Sequence, residues 1–117
     1  MKYFTLDEFD SPDEIGSGNK MDEILLSMLN EARGLADVPF IINSGYRTEK
    51  HNKKVGGKEN SSHLKGLAVD IKCTDSTSRD RILTSLRLAG FNRIGIAKTF
   101  IHCDIDTSKS QHVTWVY

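Results

Sequence analysis

Between Ser61 and Asp70 the chain reads Ser-Ser-His-Leu-Lys-Gly-Leu-Ala-Val-Asp, which sets an imidazole, His63, six intervening residues ahead of a carboxylate, Asp70. His63 stands in a polar, turn-rich segment, whereas Asp70 falls inside an alternating run, Leu67 to Ile71, that reads as a strand. A turn imidazole and a carboxylate on the strand that follows it can converge on one divalent ion, and the small residues Gly66 and Ala68 let the backbone pass close to that ion. A third ligand is available at His102, within Phe100-Ile101-His102-Cys103-Asp104, a second strand-like run. Two imidazole nitrogens and one carboxylate suit zinc, and three protein ligands leave a fourth position for a water acidified toward neutral pH.

Strand alternation sharpens this reading, because side chains at i and i+2 share a face. His102 and Asp104 then point one way while Ile101, Cys103 and Ile105 point the other. In the earlier run, Ala68, Asp70 and Lys72 oppose Val69, Ile71 and Cys73. Both strands thus offer a polar, site-facing side and an apolar, core-facing side, with both cysteines on the core side as small hydrophobes. Asp104 is the carboxylate nearest the site by sequence and the candidate for moving the water's proton to a leaving amine. Arg47, just after the short apolar run Phe40–Asn43, is suited to a bidentate grip on a substrate carboxylate.

Each residue also has a plainer reading. His63 alone in a polar loop reads as solvated, and His102 alone as a half-buried, hydrogen-bonded histidine. Asp70 between Val69 and Ile71 needs a partner, which Lys72 or Arg93 would supply as a salt bridge in a metal-free protein. Arg47 would pair with Glu49 or cap a turn. His51 and His112 read as solvated loop residues.

The elements that must position these groups follow from periodicity. Apolar residues at Met21, Ile24, Leu25, Met28, Leu29 and Ala32 predict an amphipathic helix over 21–35, with Gly34 near its end. Phe40–Asn43 predicts a short buried strand, and residues 49–54 a helical turn before Gly56-Gly57. After the 67–72 strand, the capping residues of 74–78 predict a second main helix with Ile82, Leu83, Leu86 and Ala89 inward and Gly90 past its end. Residues 93–97, 100–106 and 113–117 predict three more strands, the first two joined by a hairpin turn at Lys98-Thr99. Helices and strands are segregated, which gives an α+β class: a small, mainly antiparallel sheet carrying the site with two main helices packed on it. The chain, 1–117, fits one domain, with 1–20 as a wrapping segment in which Phe4, Leu6 and Phe9 seek burial.

Composition excludes several partners. Lys plus Arg and Asp plus Glu both number 16, so there is no electrostatic footprint for nucleic acid or an anionic membrane. The apolar runs are far too short for a membrane span. The N-terminus has no apolar signal-peptide core, which leads to an expectation of cytoplasmic synthesis, free thiols at Cys73 and Cys103, and a monomer.

The pattern Ser61-x-His63-x-x-Gly66-x-Ala68-x-Asp70, preceded by Ser44-Gly45-Tyr46-Arg47 and followed by Phe100-Ile101-His102-Cys103-Asp104, resembles the zinc D-alanyl-D-alanine carboxypeptidases. These are grouped with lysostaphin-type peptidases and the hedgehog signalling domain. The resemblance covers roughly residues 40 to 106 and implies a small α+β domain cleaving a peptide bond in bacterial peptidoglycan, as a carboxypeptidase or an endolysin-type endopeptidase. It implies His63, Asp70 and His102 as zinc ligands, Arg47 as the holder of the substrate carboxylate and Ser61 as a hydrogen-bonding partner of substrate. Asn52 and Gly56-Gly57 are similar to the family's segment between the arginine and the zinc motif.

The sequence departs from many members where they carry a glutamate or aspartate three residues before the last ligand, or a histidine two before. Here those positions are Thr99 and Phe100. Asp104 instead resembles the His-x-Asp ending of a shorter subgroup, in which it is either the base or a support for a ligand. The alternative expectation is a zinc-containing peptidoglycan-binding module without turnover. With its size and its N-terminus, the chain is expected to be phage- or prophage-encoded, or a bacterial relative, acting on the cell wall.

Overall fold

The structure, a computed structural model, describes all residues from Met1 to Tyr117. The N-terminal segment contains two 3₁₀ turns, Leu6–Phe9 and Ser17–Lys20. Helix α1 (Glu23–Ala36) follows, then β1 (Ile42–Ser44), α2 (Glu49–Lys54), a 3₁₀ turn at Ser62–Lys65, and β2 (Ala68–Lys72). Helix α3 (Ser76–Leu88), β3 (Arg93–Ile96), β4 (Phe100–Asp104) and β5 (Val113–Val116) complete the chain. The strands form one sheet in the order β1-β2-β4-β3-β5. All pairings are antiparallel except β3 with β5, which is parallel. This is the expected α+β arrangement. The one parallel pair arises because residues 105–112 carry the chain back across the strand ends before β5 begins.

Helices α1 and α3 pack against each other and cover one face of the sheet. Asp22 caps α1 by accepting from the Ile24 and Leu25 backbone, and Asp75 caps α3 by accepting from Ser78. The core joins Leu25, Leu26, Leu29 and Ala32 of α1 and Ile82 and Leu86 of α3 to Val69, Ile71, Ile94, Ile101 and Cys103 of the sheet. Both cysteines are free and buried on this side, as the alternation predicted.

Local details differ from expectation. The buried stripe of α1 includes Leu26 and Ala36, while Ile24 is exposed. One residue is 100° on a helix, so a stripe through Leu25, Leu29, Ala32 and Ala36 leaves Ile24 on its outer flank. Residues 40–43 do not make a buried strand. β1 is the sheet edge, with Phe40 buried but Ile41 exposed. In the 1–20 segment Phe4 and Phe9 are buried as expected, whereas Leu6 points to solvent.

Candidate metal centre

The register of the sheet builds one polar row across all five strands. Ser44 of β1 stands opposite Asp70 of β2, Asp70 opposite His102 of β4, His102 opposite Gly95 of β3, and Gly95 beside Trp115 of β5. An irregularity between Ile42 and Ser44 brings Ser44 level with Asp70. A side chain at Gly95 would run into the Trp115 indole, so its absence lets that ring lie 5.5 Å from the His102 ring, centroid to centroid. The next row places Asp104 between Ala68 and Arg93.

His63 reaches this row from the 3₁₀ turn. Ser61 caps that turn, its Oγ accepting from the His63 backbone at 3.3 Å. Gly66 ends it in the left-handed region at φ 70°, packed so closely on the Lys20 carbonyl that no side chain fits. The Gly45 carbonyl lies 2.8 Å from His63 Nδ1 and orients the ring so that Nε2 faces Asp70 Oδ1 at 3.4 Å. His102 presents Nδ1 to the same Oδ1 at 2.9 Å and Nε2 to Asp104 Oδ2 at 2.7 Å. The ligand atoms of His63, Asp70 and His102 all lie within 4.8 Å of one another, and all three residues are buried. Donors around a tetrahedral ion at zinc bond lengths sit roughly 3.3–3.5 Å apart. The two distances from Asp70 Oδ1, 3.4 Å to His63 Nε2 and 2.9 Å to His102 Nδ1, lie close to that spacing.

The charges are strongly perturbed. Burial would raise the Asp70 carboxyl, but hydrogen bonds from His102 and His63 outweigh it and hold the group well below the usual carboxylate range. Burial works against a charged His102, yet the flanking Asp104 and Asp70 raise its pKa above the ordinary histidine value. Asp104 is likewise held low, because the His102 and Arg93 hydrogen bonds overcome its burial. Its Oδ1 accepts from Arg93 Nε at 2.7 Å and from the Asp106 backbone at 3.1 Å, so both of its oxygens are engaged.

On the β1 side, Arg47 donates to Ser44 Oγ (2.9 Å), Asn52 Oδ1 (3.2 Å) and, at the long distance of 3.4 Å, Asp70 Oδ2. Asn52 is buried and in turn donates to the Lys58 carbonyl at 2.9 Å. Arg47 therefore pairs with Asp70 rather than Glu49, while Arg93, a candidate partner for Asp70 by sequence, faces Asp104 through the β3–β4 register. All of the site residues read from the sequence (Arg47, Ser61, His63, Asp70, His102 and Asp104) line one cleft of about 580 Å³. Trp115, Tyr117, Lys109 and Arg93 line it too and were not singled out as site residues. The i, i+2 spacing of Trp115 and Tyr117 was the signal for the two aromatics. His51 and His112 lie outside the cleft lining.

An antiparallel sheet presenting a buried His/Asp/His cluster at the floor of a polar cleft is the architecture of a mononuclear metalloprotein. A sequence model of the Peptidase M15 family matches residues 2–104, and the chain belongs to that family of metallopeptidases, the zinc D-Ala-D-Ala peptidases. No curated protein matches the chain. No helix is long and apolar enough to cross a membrane.

Proposed function

We propose that the chain is a zinc peptidase hydrolysing a peptide bond in bacterial peptidoglycan, with His63 Nε2, Asp70 and His102 Nδ1 as the zinc ligands. The observation that carries this is the shared focus of those three atoms on the cleft floor, each with its other polar atom already held: His63 Nδ1 by Gly45, His102 Nε2 by Asp104, Asp70 Oδ2 by Arg47. When bound, zinc supplies Lewis acidity toward a carbonyl and an acidified water.

The chain's own residues do the rest. Arg47, tethered by Ser44 and Asn52 and drawn only loosely to Asp70, presents a guanidinium to a substrate carboxylate. Ser61 at the cleft wall offers a hydroxyl to the substrate backbone. For Asp104, saturation of both oxygens favours a positioning role: it fixes the tautomer and ring plane of His102 rather than taking the water's proton.

A second reading, a zinc-containing peptidoglycan-binding module without turnover, is favoured by one observation. Asp70 and Asp104 are the only acidic side chains lining the cleft, and both are committed. Incubation with purified peptidoglycan separates the readings. A peptidase exposes new amines and carboxylates in the zinc-loaded state and stops when zinc is chelated. Retention on the wall with no new termini would favour the binding module.

A further inference from the structure

The chain carries no net charge, yet its cleft does. Four cations (Arg47, Lys58, Arg93 and Lys109) line it against two carboxylates, Asp70 and Asp104. Asp104 is neutralised by Arg93, and Asp70 belongs to the metal cluster. Of the three cations that remain, Lys58 is exposed, and Arg47 and Lys109 lie on different flanks. Arg47 stands off the β1 edge beside Asp70. Lys109 lies at the end of the sheet where β4 finishes, on the loop whose Ser110 carbonyl accepts from Arg93 Nη1.

Lys109 is built into the cleft and only partly satisfied there. Its side chain is 25% exposed, and its Nζ donates to Ser62 Oγ at 2.9 Å. Its nearest carboxylate oxygen, Asp106 Oδ2, is 3.9 Å away. That oxygen already receives Lys65 Nζ at 3.1 Å and the Ser62 hydroxyl at 2.7 Å. One carboxylate thus serves two lysines, and the lysine facing the cleft holds the weaker share. An ammonium has three donors, so Lys109 can keep Ser62 and still bind an anion from the cleft.

We infer that Lys109 forms a second anion subsite, and that the cleft takes peptides bearing two carboxylates, a terminal one at Arg47 and a side-chain one at Lys109. The inference rests on the reading above that Arg47 receives a terminal carboxylate. A cleft with a local positive surplus also concentrates such doubly anionic peptides from solution.

The test uses the zinc-loaded chain and two N-acetylated peptides ending in D-alanyl-D-alanine, identical except for glutamate or glutamine just before that pair. Trp115, the chain's single tryptophan, lines the cleft beside His102, so its fluorescence, read by stopped flow in the binding phase, reports binding ahead of turnover. The glutamate peptide should bind about tenfold more tightly, the scale of one charge-assisted hydrogen bond. Lys109→Gln should reduce that preference to about one, and Lys109→Arg should restore most of it. Lys65→Gln, which removes the other lysine on Asp106 from outside the cleft lining, should leave the preference intact. Thermal unfolding of each variant establishes that it is folded. Equal binding of the two peptides, or equal loss of preference in Lys65→Gln and Lys109→Gln, overturns the subsite while leaving the peptidase reading in place. Failure of both peptides to bind overturns the subsite, and overturns the peptidase reading too where peptidoglycan is not cleaved.

Discussion

The two flanks of the cleft are built differently. On the β3–β4 flank the groups around Asp104 are closed: Asp104 holds His102 and is held by Arg93, whose guanidinium also reaches the Ser110 carbonyl. Beyond it Asp106, buried at 2% exposure, takes Ser62, Lys65 and Ser108. On the β1 flank, Arg47 has two anchors and a loose 3.4 Å contact with Asp70. Saturated groups fix geometry, whereas a charge with a long, single ion pair is free to bind something else. The Asp104–Arg93 network is therefore built as scaffold, whereas Arg47 is left available to a ligand in the cleft.

That contrast is tested most severely on the scaffold side. Arg93→Ala leaves the buried Asp104 without its arginine, held only by His102 and the Asp106 backbone, and should cost about 3–5 kcal/mol in denaturant unfolding. A loss within about 0.5 kcal/mol would mean the pair is not structural. Asp104→Asn should be milder. If Asp104 orients His102, zinc affinity and turnover fall together by about 10–100-fold. If it is the general base, competition with a zinc chelator will show unchanged affinity and only turnover will fall.

On the open flank, Arg47→Lys should leave unfolding and zinc affinity unchanged while lowering kcat/KM for carboxylate-terminated peptides about tenfold, through loss of the planar two-donor fork. A matching loss of zinc would move Arg47 into the scaffold.

The smallest effect is pH-dependent. Burial would raise the Asp106 carboxyl, but Ser108, Ser62 and Lys65 hold it well below the ordinary range. A depressed folded value stabilises the protein above the unfolded pKa, near ~4, and the stabilisation is lost as pH falls toward the folded value. Stability should therefore be flat in this respect above about pH 5 and decline below about pH 4. Asp106→Asn should reduce that slope at an overall cost of about 1–3 kcal/mol. An unaltered acid slope would remove Asp106 from the account.

The clustering of the candidate site residues was legible because strand alternation is strict: once Val69, Ile71 and Cys103 are inward, Asp70, His102 and Asp104 must share the other face. The helices and most strands follow from the same logic. What stayed hidden depends on register and on the chain's route. Arg93 meets Asp104 rather than Asp70 because the hairpin aligns those two residues, which no local pattern specifies. The chain leaves β4, crosses β3 and adds β5 in parallel on its far edge, and only that crossing brings Trp115 to His102 and the 105–112 loop to the cleft. Asp106 sits just past the end of β4, and its partner Ser62 is 44 residues distant in sequence. Ile24 and Leu26 show the same limit within α1, where the neighbouring helix and sheet choose which edge of the stripe is covered.

The central claim is that one ion sits among His63, Asp70 and His102. Zinc-edge X-ray absorption on the chain after equilibration with one equivalent of zinc tests it directly. The account predicts one tightly held ion per chain with only nitrogen and oxygen neighbours at about 2.0–2.2 Å, imidazole scattering from two histidines, and loss of the ion in Asp70→Ala. Sulfur neighbours, a single imidazole, or undiminished zinc in Asp70→Ala would contradict it.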